Sequence, residues 1–190
     1  MKKIAVDLDG VIFDSETLYR VYSEMFDVEQ FGKDNLVNNS KRKFQDRYNW
    51  SQEESINFYK KYSKKILKNA KLMEGVRIVL PKLMKYFQIV YITSRTKEEV
   101  GYIKKQYKFL KLNEIKIFEN ENNKIDRYIK EKVDYVIDDD EEICKLSARN
   151  NIQTFYFKNN AANVIHNQYI VNINNWGELY KYLYINDIKK

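Results

Sequence analysis

Two aspartates, Asp7 and Asp9, close an apolar run that begins at Ile4. Residues two apart on an extended chain point to the same side. Carboxylates placed so close repel each other unless a cation or a shared proton intervenes. Gly10 follows, and glycine lets the backbone turn sharply and approach a ligand closely. Ending an apolar run in two acids is costly for stability alone, although such a pair also serves to cap a turn. A second acidic group, Asp138-Asp139-Asp140, follows the apolar Tyr135-Val136-Ile137. With Glu141 and Glu142 behind it, this group reads either as part of a site or as the acidic start of a helix. Thr93-Ser94-Arg95 follows Ile89-Val90-Tyr91-Ile92. Hydroxyls there can donate to a phosphate oxygen, with help from the amides that open the next helix, or they simply cap that helix. Lys124 opens a helix-like stretch, where a lone lysine is ordinarily solvated. Beside several carboxylates and a phosphoryl group it would supply compensating positive charge.

The elements that must position these residues alternate along the chain. Ile4–Leu8, Ile89–Ile92, Ile115–Phe118, Tyr135–Ile137 and Thr154–Phe157 read as strands, the first as a buried parallel one. Between them, Val76–Tyr86, Lys97–Leu110, Lys124–Lys132 and Glu141–Asn150 read as helices. Strand alternating with helix predicts an α/β fold, a Rossmann-like parallel sheet with helices on both faces. All three polar groups then fall at carboxyl ends of strands, where open α/β sheets bind ligands. Residues 15–73 break the alternation with two helical patterns, Glu16–Phe26 and Ser51–Ala70, and Ser51 with Glu54 forms a capping box for the second. This predicts a small helical insertion after the first strand. Residues 1–14 and 74–190 make the core, with Glu74-Gly75 marking the return.

Composition narrows the class. The chain has 190 residues, 44% of them hydrophobic, which suits a folded α/β domain rather than disorder. Lys and Arg total 34 against 27 Asp and Glu, a net charge of +7 that favours anionic partners. The positive charge is spread along the chain, which favours a small anionic substrate over nucleic acid and also fits an ordinary solvated surface. One cysteine, Cys144, rules out an intramolecular disulfide and fits a reducing, cytoplasmic setting. Neither Cys144 nor His166 has a partner at metal or dyad spacing. Met1-Lys2-Lys3 runs into a short apolar stretch carrying two acids, which does not read as a signal peptide. No run of apolar residues is long enough for a membrane span.

Asp7-Leu8-Asp9-Gly10-Val11, then Thr93, Lys124 and Asp138-Asp139, resemble in order and setting the motifs of the haloacid dehalogenase superfamily. The resemblance covers Lys3–Val11 and about Gly75–Leu183, and the helical insertion sits where that family carries a mobile cap. Val136-Ile137-Asp138-Asp139 and the tail through Asn175-Trp176-Gly177-Glu178-Leu179 look like the 5′(3′)-deoxyribonucleotidase branch and its bacterial relatives. Two features depart from that branch: Thr93-Ser94-Arg95 lacks a proline, and Asp140 replaces a residue that is commonly arginine.

The resemblance implies a magnesium-dependent phosphatase for a small phosphorylated metabolite, a nucleotide in the narrower reading. Asp7 would be the nucleophile and Asp9 the general acid and base. Mg2+ would be held by the Asp7 and Asp138 carboxylates and the Asp9 backbone carbonyl. Gly10, Thr93, Ser94 and Lys124 would bind phosphate with Asp7, and Asp139 would support Lys124 or a metal-bound water from behind. Arg42, Lys43, Arg47 and Trp50 cluster in the insertion, where they would meet the base or a second charge, or merely cover a solvent face. Competing readings are a phosphatase for a sugar phosphate, a phosphate-transferring mutase, suggested by Asp14-Ser15-Glu16, and a non-catalytic nucleic-acid-binding relative with stacking aromatics.

Overall fold

The computed structural model describes residues 1–41, 43–121, 123–158 and 163–189. The chain opens with β1 (Lys3–Val6), passes through the two-residue β2 (Phe13–Asp14), and enters α1 (Glu16–Phe31), α2 (Phe44–Arg47) and α3 (Gln52–Asn69). It returns through β3 (Lys71–Leu72) to α4 (Val76–Leu83), β4 (Gln88–Ile92), α5 (Lys97–Gln106), a 3-10 turn (Lys108–Leu110) and β5 (Ile117–Phe118). There follow α6 (Lys124–Glu131), β6 (Tyr135–Asp138), α7 (Glu141–Arg149), β7 (Gln153–Phe157), β8 (Ile170–Ile173), α8 (Trp176–Leu183) and a π-helical turn (Tyr184–Ile188).

Six strands pair in parallel in the order β5-β4-β1-β6-β7-β8. The expected parallel sheet with helices on both faces is therefore present. Strand order runs outward in both directions from β1, so the crevice between β1 and β6 is the topological switch point. Alternation along the strands assigns the faces. Ile4, Val6, Ile89, Tyr91, Ile137, Phe155 and Ile173 pack with α4, α8 and Ile103 of α5. Ala5, Val90, Ile92 and Val136 face the other way, against Tyr128 and Ile125 of α6 and Ile143 of α7.

The insertion has its own aromatic core. Phe26, Phe44, Tyr48, Phe58, Tyr62 and Ile66 are buried together, with Tyr19, Tyr22 and Trp50 packed against them. Its stem is the antiparallel pair of β2 and β3, Phe13 opposite Leu72 and Asp14 opposite Lys71, closed by the Met73 N–H donating to the Ile12 carbonyl at 2.8 Å. Two-residue strands carry no periodicity, which hides this stem in the sequence. Two helix ends also differ from expectation. Gly32 at φ 64° caps α1, which extends past Phe26 to Phe31. The helix expected to reach Leu110 breaks at Tyr107, whose ring is held edge-on to Phe13 at 5.0 Å. Tertiary packing overrides propensity there.

One distant contact fixes the loop after β1. Trp176 is fully buried, and its indole N–H donates to the Val11 carbonyl at 2.9 Å. The same side chain lies against Gly75, where an added Cβ would sit 3.2 Å from the Trp176 Cβ. Trp176→Phe retains the apolar contact and removes the donor. Leaving a buried carbonyl without it is expected to lower stability by about 1–3 kcal/mol, read from urea unfolding. Parent-like stability would show that the indole bond contributes nothing.

Candidate functional site

Three adjacent strands, β4, β1 and β6, present their carboxyl ends side by side. The Asp7 N–H donates to the Ile137 carbonyl at 3.0 Å, extending the β1–β6 pairing into the site. Asp7 is buried and meets the Lys124 ammonium at 3.0 Å. Lys124 opens α6, whose first turn is capped by the Asn123 side chain. It also meets Asp138 Oδ2 at 2.8 Å. Asp138 is fully buried; the Tyr128 hydroxyl donates to the same oxygen at 3.2 Å, and the Asp140 N–H donates to Oδ1 at 2.9 Å. Asp140 then caps α7 by accepting from the Glu142 and Ile143 amides.

Gly10 makes room for the second acid of this pair. It has φ 70°, and a Cβ built there would fall 1.4 Å from Asp139 Oδ2. Carboxylate oxygens of Asp7, Asp138 and Asp139 all lie within 4.8 Å of one another. Asp139, expected from the sequence to support Lys124 or a metal-bound water, thus shares this cluster with Asp7 and Asp138.

Asp9 lies across the site from Lys124's carboxylates. The Arg95 guanidinium grips it with two bonds, Nε to Oδ2 and Nη2 to Oδ1, each 2.7 Å. The Ser15 hydroxyl, at the entry to α1, also bonds to Asp9. Arg95 is itself buried and donates from Nη1 to Glu99 at 2.9 Å. Thr96 and Glu99 form the capping box that opens α5.

Charges here are strongly coupled. Burial, opposed by Lys124 and reinforced by the charges on Asp138 and Asp9, pushes the Asp7 carboxyl up to about 7. Burial works against the Lys124 charge as well, but Asp138 and Asp7 outweigh it and hold the ammonium well above the usual lysine range. Burial likewise disfavours ionised Asp9, and Arg95 overcomes this, keeping its carboxyl below the usual range.

A pocket of about 460 Å³ opens over these groups, lined on the core side by Asp7, Asp9, Ser94, Arg95, Lys124 and Asp139. The insertion supplies Glu16, Tyr19, Lys43, Phe44, Gln45 and Tyr59 to its other wall. Lys43 reaches across to Asp140 at 2.7 Å. Thr93 is buried, and its hydroxyl accepts from the Arg95 N–H at 3.2 Å, while exposed Ser94 faces the pocket. The other insertion residues singled out in sequence lie elsewhere. Arg47 is buried, with Nη2 donating to Asn39 Oδ1 at 3.0 Å and its guanidinium over the Tyr48 ring. Trp50 packs into the aromatic core and donates to Asp27 at 2.6 Å. Neither is among the residues lining the pocket. Arg42 falls outside the described residues.

Sequence reasoning missed Arg95, Tyr128, Tyr19 and Tyr59. Two had a readable signal. Tyr128 lies four residues after Lys124 on α6, the spacing that stacks side chains on one helix face, and Arg95 sits just ahead of α5, four residues before Glu99.

No protein-family model matches the chain, and no curated protein matches its sequence. Solved structures do match it over nearly its whole length. A predicted phosphatase from Clostridium acetobutylicum superposes with a TM-score of 0.68 at 20% identity, covering 96% of this chain and 97% of its own. A haloacid dehalogenase-like hydrolase from Streptococcus pneumoniae gives 0.68 at 13% identity, covering 96% and 98%. A family IA hydrolase of the same superfamily from Entamoeba histolytica gives 0.68 at 12% identity, covering 100% of both chains. The chain thus has the fold of haloacid dehalogenase-like hydrolases, with an aspartate cluster at the switch point of its sheet.

Lys124 is the cation between two buried carboxylates. Lys124→Met is expected to cost about 3–5 kcal/mol of stability, because it strands buried charge. Denaturant unfolding without added metal measures it. A variant as stable as the parent would mean that Asp7 and Asp138 do not depend on this ammonium.

Proposed function

We propose that the chain is a magnesium-dependent phosphomonoester hydrolase in which Asp7 attacks phosphorus. The observation that carries this reading is the grouping of Asp7, Asp139 and Lys124 on the wall of a pocket that also holds Asp9, with Asp138 buried behind them against Lys124. In the first half-reaction an Asp7 oxygen forms a bond to phosphorus as the ester P–O bond breaks. The departing oxygen takes the electron pair and a proton from Asp9, which must first take up that proton against the pull of Arg95, on a lone pair that the guanidinium leaves free. In the second, water attacks phosphorus, its proton passes to the Asp9 carboxylate, and the bond to Asp7 breaks. Inorganic phosphate leaves and both aspartates return to their starting forms. Lys124 and the hydroxyls of Ser94 and Thr93 hold the non-bridging oxygens; Thr93 Oγ1 accepts from Arg95 and keeps its own proton to donate.

The donor set suits a hard divalent cation. Three clustered carboxylates are oxygen ligands of the kind Mg2+ takes. Asp7, Asp138, Asp139 and the Asp9 carbonyl would hold it. When bound, the ion offsets carboxylate charge and polarises the phosphoryl group. Four acids, Asp7, Asp9, Asp138 and Asp139, face two cations, Lys124 and Arg95, which leaves a charge deficit that a divalent ion fills.

Residues 15–73 serve in this reading as a cap over the leaving group. Tyr19, Phe44 and Tyr59 offer flat apolar surface, beside Gln45 and Lys43. That wall suits the base of a nucleoside monophosphate, and a nucleotide is the preferred substrate class. The superposing protein from Clostridium acetobutylicum, itself a predicted phosphatase, is consistent with phosphoester chemistry on this fold.

Two measurements test the reading. Asp7→Asn is expected to abolish turnover while leaving the circular dichroism spectrum unchanged, and removing metal with a chelator is expected to abolish turnover reversibly. Retained activity in either case overturns the corresponding assignment. A panel of nucleoside monophosphates, sugar phosphates and p-nitrophenyl phosphate decides the substrate. Highest kcat/KM on a sugar phosphate would remove the nucleotide preference and keep the phosphatase. Gly10→Ala places a methyl group on the Asp139 carboxylate and is expected to lower kcat by about 100-fold or more, since misplacement of about 1 Å costs that much.

A further inference from the structure

We infer that Arg95, oriented by Glu99, is a positioning residue of the reaction, holding the Asp9 carboxylate in the one plane from which it reaches the leaving-group oxygen. The inference rests on the phosphatase reading above and deepens it. Its evidence is geometric. A single hydrogen bond lets a carboxylate rotate about the bond to its Cβ. Two parallel bonds, Nε to Oδ2 and Nη2 to Oδ1 at 2.7 Å each, fix both oxygens and therefore the plane. The guanidinium is fixed in turn. Its Nη1 donates to Glu99 at 2.9 Å and faces the Ser63 carbonyl of α3 at 3.5 Å. Glu99 is buried and tied by its other oxygen to the Thr96 N–H at 3.0 Å. The Ser15 hydroxyl holds Asp9 from the α1 side.

Stability alone does not account for this chain of contacts. Buried ion pairs roughly break even against apolar packing, and here the Glu99 carboxylate and the Arg95 guanidinium are withdrawn from water together. The arrangement also leaves Asp9 on the pocket surface, with its side chain 23% exposed, while Arg95 is 2% exposed. The carboxyl faces the substrate and the guanidinium behind it does not. Tyr19 and Tyr59 also line the pocket, close enough to interact with the charges of Asp9 and Arg95, so the leaving group would sit against the Asp9 carboxylate. Lysine cannot replace the fork, because one ammonium cannot bridge both oxygens in a fixed plane.

Leaving-group dependence separates this role from a structural one. Protonation by Asp9 matters for an alkyl phosphate, whose alkoxide is a poor leaving group, and little for p-nitrophenyl phosphate. Arg95→Lys is expected to lower kcat on a nucleoside 5′-monophosphate by about 100-fold, the lower end of general-acid contributions. On p-nitrophenyl phosphate the loss is expected to stay within about five-fold, the residue of that same contribution when the leaving group needs no proton. KM should stay near the parent value for both. Glu99→Gln keeps an oxygen for Arg95 and should show the same pattern at smaller amplitude, which covers the case in which the lysine variant does not fold. Equal losses on the two esters, or no loss on either, overturn the positioning role. If the parent in magnesium hydrolyses neither ester, the phosphatase reading falls, and this inference falls with it.

Discussion

The site depends on keeping several carboxylates buried within a few ångströms of one another. Asp7, Asp138 and Asp139 offer oxygens within 4.8 Å, and mutual repulsion at that distance would push them apart or protonate them. Lys124 makes the arrangement possible, because one ammonium touches both Asp7 and Asp138. Much else serves this constraint. Asn123 caps the helix that presents Lys124. Tyr128, one turn along the same helix, adds a donor to Asp138. The Asp140 amide supplies another. Even the glycine after the first motif answers to it, since any side chain at Gly10 would occupy the space taken by Asp139.

Positions of charge within the site follow from the sheet. Parallel strands buried on both faces read as nearly continuous apolar runs, so the charged chemistry collects where they end. The chain order around β1 leaves a crevice between β1 and β6, and the two clustered acid groups flank that crevice. The third polar group, after β4, reaches the crevice by a different route. Thr93 turns inward and Arg95 extends under Asp9. Two electrostatic units therefore lie side by side: Lys124 among Asp7 and Asp138, and Arg95 between Asp9 and Glu99.

Much of this was legible because it is local. Apolar runs ending in acids mark the strand ends. The capping box at Ser51 uses side chains three residues apart. What was not legible depends on contacts across the chain. The pairing of Arg95 with Glu99 has a local spacing, but its pairing with Asp9, far away in sequence, has none. Arg47 and Trp50 read as a cationic and aromatic recognition pair, yet the insertion spends them on its own core, because a short helical unit needs aromatic burial to hold together. Tyr19, Phe44 and Tyr59, by contrast, line the pocket, and nothing in helical spacing separates these aromatics from those in the core. The β2–β3 stem failed for a different reason, since two residues are too few to show a period.

Surface charge and pocket charge oppose each other, and the opposition says how the site must work. The chain carries +7 overall, a field that draws anions towards it. The pocket does the reverse. Among the described residues lining it, Asp7, Asp9, Glu16, Glu121, Asp139, Asp140 and Glu142 are acidic, and only Lys43, Arg95 and Lys124 are cationic. Each of those cations is already engaged by a carboxylate, Lys43 by Asp140, Arg95 by Asp9 and Lys124 by Asp7. A phosphate entering such a wall is repelled by it unless further positive charge is supplied. In the proposed enzyme a divalent ion supplies that charge at Asp7, Asp138 and Asp139, while the clamp of Arg95 on Asp9 stays intact. The cation that anchors the general acid is then kept separate from the charge that receives the phosphate, so binding substrate does not compete with placing the proton donor.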